Sequence, residues 1–484
     1  MRVKCLFFAA SKEVCGQEQK ELADLEEGTT VRQLLARLNE EYPALQQVLA
    51  SAMVALNQDY VDPHSTQHDP QLHDGDELAI IPPLSGGGKR RRGVLHGLKV
   101  IELAGLAPVP FCGMMLSDFG AEVVRVERMG ALPPVPDTLS RGKRSLALQL
   151  KSKAGVELLM RLLERADVFL DPYRPGVLER LGLGPEVVLK RNPRLIFARL
   201  TGYGQTGPYA HKAGHDINYV ALSGALSLFG RSNEKPLPPG NLLADFAGGG
   251  QQCMVGILLA LLERERTGRG QVVDASMVNG VSYLSTFVHK ARTAGFWADD
   301  RGHNMLDSGA HFYETYKTKD GKYVAVGAIE PQFYQQLVKG LGLKIEDLPP
   351  QMDQQSWTAM KQRFQDIFLS KTRQEWDDIF NSADSPFSDA CVSPVLRLDE
   401  LMDHPHNKAT GLLQSDCFQE MEPRPAPILS ATPAMSNDRP RPSPGEHSAQ
   451  VLMEYLDLSS SEVSVLQEKG IVGGSSPHSP KARL

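Results

Sequence analysis

The stretch Pro82-Pro83-Leu84-Ser85-Gly86-Gly87-Gly88-Lys89-Arg90-Arg91-Arg92-Gly93 sets the first limit on how this chain can fold. Proline gives no N–H to a ladder, and glycine loses more freedom on ordering than any other residue, so neither a central strand nor a helix runs through it. Folding units therefore lie on either side: residues 1–88, a linker at 89–93, and the remainder from 94 onward. A short basic run between domains is most simply a solvated connection. Length agrees, because 484 residues exceed what one ordinary core holds.

Residues 1–88 read as a β-grasp (ubiquitin-like) unit. Val3 to Phe8 forms a first strand, and Thr30 with Gln33 has the spacing of a capping box ahead of a helix. Val31, Leu34, Leu35 and Leu38 recur at helical spacing and make an apolar stripe that must lie on a sheet. Met53 to Leu56 reads as a strand entering an Asn57-Gln58-Asp59 turn, and Asp74-Gly75-Asp76 turns the chain into Glu77-Leu78-Ala79-Ile80-Ile81. With the ending Gly86-Gly87, this pattern resembles the MoaD-like sulfur carriers, the small subunits of molybdopterin synthase. The resemblance implies a diglycine whose terminal carboxylate is activated and converted to a thiocarboxylate, with an activating enzyme and the large synthase subunit as partners. Here Gly87 is followed by Gly88 and the rest of the chain, so no free carboxylate exists unless a protease releases the unit after Gly87.

From Leu98 the pattern becomes strand, turn, helix, strand, which is half of a doubly wound α/β layer. The turn Gly105 to Gly113 lacks the G-x-G-x-x-G dinucleotide fingerprint, so NAD or FAD is not supported. Arg128 is placed just past a strand end, where such sheets meet ligands, and Arg141-Gly142-Lys143-Arg144 reads as a second cationic patch near Leu148-Gln149-Leu150-Lys151. The large Rossmann-like domain is expected over 94–305, a smaller α+β domain over 306–420, and a return segment over 421–472 that completes the large domain. The Gly/Ser/Pro-rich tail, 473–484, reads as disordered.

Two stretches carry the candidate chemistry: Ala213-Gly214-His215-Asp216-Ile217-Asn218-Tyr219 and Asn241-Leu242-Leu243-Ala244-Asp245-Phe246-Ala247-Gly248-Gly249-Gly250. An imidazole and a carboxylate on opposite sides of one carbon can take a proton from one face and return one to the other. Taken alone, Asp245 also suits an N-cap ahead of an apolar helix running from Gly250 to Leu262, and Gly214-His215-Asp216 an ordinary polar loop. The glycine triplet would let a ligand approach the helix start, where free N–H groups could hold an enolate oxygen.

These stretches, with Ile101-Glu102-Leu103, Asp118-Phe119-Gly120, Asn304-Met305-Leu306-Asp307 and Ala328-Ile329-Glu330-Pro331-Gln332-Phe333-Tyr334, closely resemble the alpha-methylacyl-CoA racemase family of the class III CoA-transferase superfamily. The likeness runs from about Gly97 to Val472. It implies a CoA-transferase family III fold and an interlocked homodimer. The active site lies where the large domain of one subunit meets the small domain of the other. The implied substrate is a 2-methyl-branched acyl-CoA, such as pristanoyl-CoA or a bile-acid precursor, and no cofactor is needed. His215 and Asp245 are the implied proton carriers, with Glu330 supporting the imidazole of the partner. Arg128, Leu148, Gln149, Leu150 and Lys151, together with Gly214, Asp216, Ile217, Asn218 and Tyr219, are the implied CoA and substrate contacts. The alternative within the superfamily is a CoA-transferase that uses Asp245 as a nucleophile through an anhydride.

Composition narrows the remaining classes. A formal charge of −6 gives no global pull toward nucleic acid or an anionic membrane. The 6 cysteines are scattered without metal-ligand spacing, so neither a zinc site nor a disulfide framework is expected. No apolar run is read as membrane-spanning. The ending Ala482-Arg483-Leu484 is a variant of the peroxisomal Ser-Lys-Leu address, with mitochondrion and cytosol left open.

Overall fold

The computed structural model describes every residue except 44, 50–52, 58, 62–68, 82–92, 130–136, 416–419, 436–440 and 475–484. Gly86, Gly87, the basic run through Arg92 and the terminal Ala482-Arg483-Leu484 therefore lie outside the described residues. Two compact units divide the chain, Met1–Arg92 and Gly93–Leu484.

In the first unit, β1 (Val3–Phe7), β2 (Gln19–Leu22), β3 (Met53–Leu56), β4 (Asp59–Val61) and β5 (Glu77–Ile81) form one sheet in the order β2-β1-β5-β3-β4. β1 and β5 run parallel at its centre and the other pairs are antiparallel, the arrangement of a β-grasp. The helix Val31–Glu41 buries Val31, Leu34, Leu35 and Leu38 in this unit's core. Its start is fixed reciprocally: Thr30 accepts the Gln33 N–H, and Gln33 accepts the Thr30 N–H at 3.0 Å.

The second unit is built on β6 (Lys99–Leu103), β7 (Glu122–Arg128), β8 (Arg144–Leu148), β9 (Val168–Asp171), β10 (Ile196–Thr201) and β11 (Val272–Ser276). All pairs are parallel, and the order is β11-β10-β9-β6-β7-β8. The chain winds outward from β6 through β7 to β8, then returns to the other side of β6 and winds outward again. β9 and β10 are buried along their whole length, as strands covered on both faces must be. One covering layer includes the C-terminal helices Ser448–Leu456 and Ser460–Glu468, whose Val451, Leu452, Tyr455 and Val463 enter the core beside Leu146 and Leu148. Val472 then bridges to Leu148.

On the opposite face lies a continuous helical stretch, Leu242–Thr267, 26 residues long and apolar enough in composition to cross a membrane. This corrects the expectation from the sequence that no apolar run reaches such a length. Ala244, Gly248, Gly249, Gly250, Cys253, Ile257 and Ala260 of this stretch are buried within the unit, and four of them, Ala244, Cys253, Ile257 and Ala260, join the core against the sheet.

A smaller α+β region follows. β12 (Tyr313–Lys317), β13 (Tyr323–Gly327) and β14 (Val392–Pro394) are antiparallel, and the helices Pro331–Gly340, Gln354–Phe368 and Arg373–Asn381 share a core with them through Tyr334, Leu337, Trp357, Phe364, Trp376 and Phe380. His311 is fully buried there among Phe312, Tyr334 and Phe364, with Nε2 at 2.8 Å from the Tyr334 hydroxyl. Burial, with Lys361 adding repulsion, holds its imidazole down to about 4, against an ordinary 6.5. The unfolded chain therefore binds a proton here before the folded one does, and stability present above pH 6.5 is lost as pH falls toward 4. Relative to the parent, His311→Phe should gain about 3 kcal/mol in unfolding free energy between pH 6.5 and 4. Urea denaturation at a series of pH values measures the difference, and a constant offset across that range would contradict the burial of a neutral imidazole.

Candidate active site

A parallel sheet presents the ends of its strands to ligands, most openly where the winding reverses. That reversal falls between β6 and β9, and a cleft of about 370 Å³ opens there. Gly105, Leu106, Pro108 and Val109 line it after β6, Pro172, Tyr173 and Arg174 after β9, Leu200 to Tyr203 at the end of β10, and Met277 after β11. Gly214, His215, Tyr219 and Asp245 complete it. The two proposed proton carriers thus share one cavity.

His215 is the residue before the helix Asp216–Leu222, in extended conformation, and its N–H donates to Asn218 Oδ1 at 3.0 Å. Its side chain is exposed. Tyr219 packs edge-on against Tyr203, with ring centres 5.0 Å apart, and its hydroxyl donates to the Gly214 carbonyl, closing the loop that carries the imidazole. Ile217 and Asn218 are exposed and do not line the cleft, and Asp216 is buried and does not line it either.

Asp245 does not precede a helix. It stands in the first turn of a wide helix, Leu242–Gln251, which leads directly into Gln252–Thr267. The N-cap expectation fails because helical structure begins eight residues before Gly250. π-type segments of this kind are rare and recur at functional sites. Phe246 anchors this segment edge-on against Phe111 of the helix Pro108–Asp118, 5.0 Å between ring centres.

The glycine triplet also differs from expectation. Gly248, Gly249 and Gly250 are buried and packed against backbone rather than open to a ligand: a Cβ on Gly250 would come 2.8 Å from the Pro108 carbonyl, and one on Gly280 1.8 Å from that of Gly248. Their role is close approach between helices, and the structure gives no support to an enolate-binding site formed by these groups.

Asp245 is half-buried, and its carboxyl is pushed above the ordinary 3.8, first by burial and then by the charge of Asp216; an amide hydrogen bond from Asn241 and the positive potential of His215 act the other way. A carboxylate raised in this way is a better base and holds a proton more readily.

Arg128 and Leu148 stand at the same end of the sheet as the cleft, at the close of β7 and β8. Arg128 ends β7, exposed and near enough to Tyr173 for their charges to interact. Leu148 ends β8 fully buried in the core; Gln149 donates its N–H to the Ile471 carbonyl at 2.9 Å, Leu150 is partly buried and Lys151 exposed. Glu330 precedes the helix Pro331–Gly340, exposed, and is not among the residues lining this subunit's cleft.

The cationic patch at 141–144 is not a surface feature. Lys143 and Glu102 are fully buried, and the ammonium donates to both carboxylate oxygens at 3.0 and 2.7 Å and to the Pro110 carbonyl at 2.8 Å. Arg141 makes a two-point contact with Asp118 at 3.1 and 2.6 Å and reaches Glu422 at 2.9 Å. Arg144 pairs with Glu454 at 2.7 Å. Cations this engaged are not free for phosphate. The cleft supplies others that sequence reasoning passed over, Arg174 and Lys212. The signal for Arg174 was its place three residues after a strand end at the winding reversal.

With this geometry in view, the class is defined: the chain belongs to CoA-transferase family III, which matches residues 95–448. Residues 5–87 match the ThiS family. Among its relatives, the alpha-methylacyl-CoA racemase of Mus musculus is 55% identical over 379 residues, which cover 78% of this chain and 97% of the relative. The alpha-methylacyl-CoA racemase of Homo sapiens is 54% identical over 361 residues, covering 75% and 93%. The crystal structure of a CAIB/BAIF family protein from Brucella suis superposes with a TM-score of 0.65 at 25% identity, covering 75% of this chain and 100% of that one.

The backbone contact between Gly248 and Gly280 leaves no room for a methyl group. Gly280→Ala should force apart the helices that hold Asp245 and line the cleft, lowering unfolding free energy by about 1–3 kcal/mol. A guanidinium midpoint equal to the parent's would show that this contact does not position the site.

Proposed function

We propose that the larger unit racemises 2-methyl-branched acyl-CoA thioesters, fatty-acid and bile-acid intermediates among them, by removing and returning the α-proton. The thioester makes that proton more acidic, and one of His215 and Asp245 takes it while the other, protonated, delivers a proton to the opposite face. The single observation that carries the reading is the shared cleft, in which burial and the charge of Asp216 raise the carboxyl of Asp245 above its ordinary value. Its support from outside the structure is the racemases at 54–55% identity. No electrons change hands, so the reaction needs no cofactor, and CoA enters as part of the substrate.

In this reading Arg128 and the segment Leu148 to Lys151 bind CoA along the edge of the sheet, while Gly214 and Tyr219, which line the cleft, contact the substrate. Binding energy from the distant CoA moiety positions the reacting carbon. The functional unit is a homodimer, in which Glu330 supports the imidazole of a second copy. Leu259, Leu262, Tyr283, Phe287 and Phe296 are large apolar side chains left exposed in a single copy. The terminal Ala482-Arg483-Leu484 supports a peroxisomal address for this chemistry.

The transferase alternative would use Asp245 as a nucleophile and has no task for a second proton carrier, so the presence of His215 in the same cleft favours the racemase. Incubating a 2-methylacyl-CoA in deuterium oxide separates the two. The parent should incorporate α-deuterium with no acceptor acid, and His215→Ala or Asp245→Ala should each lose about 10²- to 10⁴-fold in that exchange. Exchange near the parent rate in both variants would remove the assignment, and acyl transfer that demands an acceptor acid would replace it.

A second role is favoured by the β-grasp sheet and the ThiS match of the first unit: sulfur carriage for molybdopterin synthesis, with an activating enzyme and the large synthase subunit as partners. It requires release after Gly87. Mass spectrometry of the native protein should then find a fragment ending at Gly87, and only intact chains would end this reading.

A further inference from the structure

Asp216 follows His215 directly, yet it is not among the residues lining the cleft and is only 5% exposed. One oxygen, Oδ2, accepts the N–H of Ala244 at 2.7 Å and that of Asp245 at 2.9 Å. These are first-turn donors of the helix Leu242–Gln251, which have no partner within the helix itself. The other oxygen, Oδ1, is buried without a hydrogen-bond partner among the described residues. An unsatisfied buried carboxylate oxygen is costly, and the site keeps it at the one place where a loop bearing an imidazole and a helix bearing a carboxylate meet.

We propose that Asp216 is the positioning residue of the site: it ties the backbone of Asp245 to the residue next to His215, fixing the separation of the two proton carriers, and supplies the negative charge against which Asp245 ionises. The inference rests on the proton-transfer reading above. Three groups act on the Asp245 carboxyl: Asp216 from the helix Asp216–Leu222, His215 at its start, and Asn241 one turn earlier on the same segment. Tyr219, from the same helix as Asp216, faces it as a neutral phenol whose ionisation is pushed up to about 12 by burial first, then by Tyr203 and Asp245. The helices Pro108–Asp118 and Met277–Leu284, packed on the other sides, bring no further charge to bear on it.

Removing the charge while keeping an acceptor separates position from electrostatics. Interacting carriers titrate as a pair, and because the equilibrium between epimers is independent of pH, the same bell-shaped profile governs both directions. Asp216→Asn keeps an oxygen for the two N–H groups, so α-proton exchange in deuterium oxide should stay within roughly tenfold of the parent at its optimum. The acid limb of kcat/KM should move to lower pH for both epimers, because Asp245 then ionises without a like charge beside it. Asp216→Ala should lose roughly 10²-fold at every pH, since the helix start is untied as well. An acid limb in Asp216→Asn that superposes on the parent's overturns the inference. Should that variant fail to fold, Asp216→Glu carries the test: the charge remains but the tether lengthens, so the limb stays while the plateau falls, and a plateau equal to the parent's overturns the positioning role. A parent chain that exchanges no α-proton would instead refute the proposed function.

Discussion

At the centre of the parallel sheet an ammonium and a carboxylate sit together with no exposure at all, and much of the larger unit is arranged around them. Lys143 reaches from the segment before β8 to Glu102 on β6, and on the way gives a hydrogen bond to Pro110 in the helix that follows β6. Desolvating two charges offsets much of their attraction, so the pair adds little to net stability, but removing one partner leaves the other stranded. Its consequence is geometric. Gly113 must be glycine, because a Cβ would stand 1.8 Å from Glu102 Oε2. The helix Pro108–Asp118 is thereby held against the sheet, and Gly105 to Val109, at its start, are held over the cleft.

The second buried pair does comparable work at the other end of that helix. Arg141 joins Asp118, the helix's last residue, to Glu422 of the strand Met421–Pro423, far along the chain. A segment that returns after the small α+β region is thus tied by charge to the element that borders the site. The terminal helices are then fixed by apolar packing beside β8, and Ser448 Oγ accepts the Ala147 N–H at 3.1 Å. Distant parts of the sequence converge on one sheet edge, where Arg128 and the end of β8 are also found.

How much of this was legible beforehand depended on whether a residue's role was local. Thr30 and Gln33 announced their helix because a capping box is complete within four residues. The strands β6 and β7 were readable from the strand, turn, helix, strand pattern that begins at Leu98, as was the sulfur-carrier-like sheet from its short apolar runs. Leu242–Gln251 was misread, because a polar Asp followed by three glycines has the composition of a loop. It becomes helical only through partners distant in sequence: Asp216 at its start, Gly280 along its flank and Phe111 across from Phe246. Arg141 and Lys143 were misread for the same reason. Four adjacent residues with three cations look solvated, and nothing nearby in sequence shows that carboxylates from other strands and helices enclose two of them. The break at Ser285, which divides Met277–Leu284 from Thr286–Thr293, was likewise hidden; there Ser285 Oγ donates to the Val281 carbonyl at 2.9 Å.

The environment of the two carriers bears on why this pair suits the proposed reaction. An ordinary Asp and an ordinary His differ in proton affinity by more than two pH units, about 3–4 kcal/mol, which would make one carrier a poor acid whenever the other is a poor base. Racemisation interconverts substrates of nearly equal energy, so an uneven pair would trap the enzyme in one protonation state after each turnover. Here the imidazole is exposed while the carboxyl is half-buried beside a second carboxylate, and both effects on Asp245 act upward. Burial and like charge therefore narrow the gap from the carboxyl side. A nucleophilic carboxylate would instead have to be ionised in order to attack, and burial beside Asp216 works against that ionisation. The closeness of Asp216 to Asp245, costly for a carboxylate that only needs to be charged, is thus consistent with one that must give a proton as readily as it takes one.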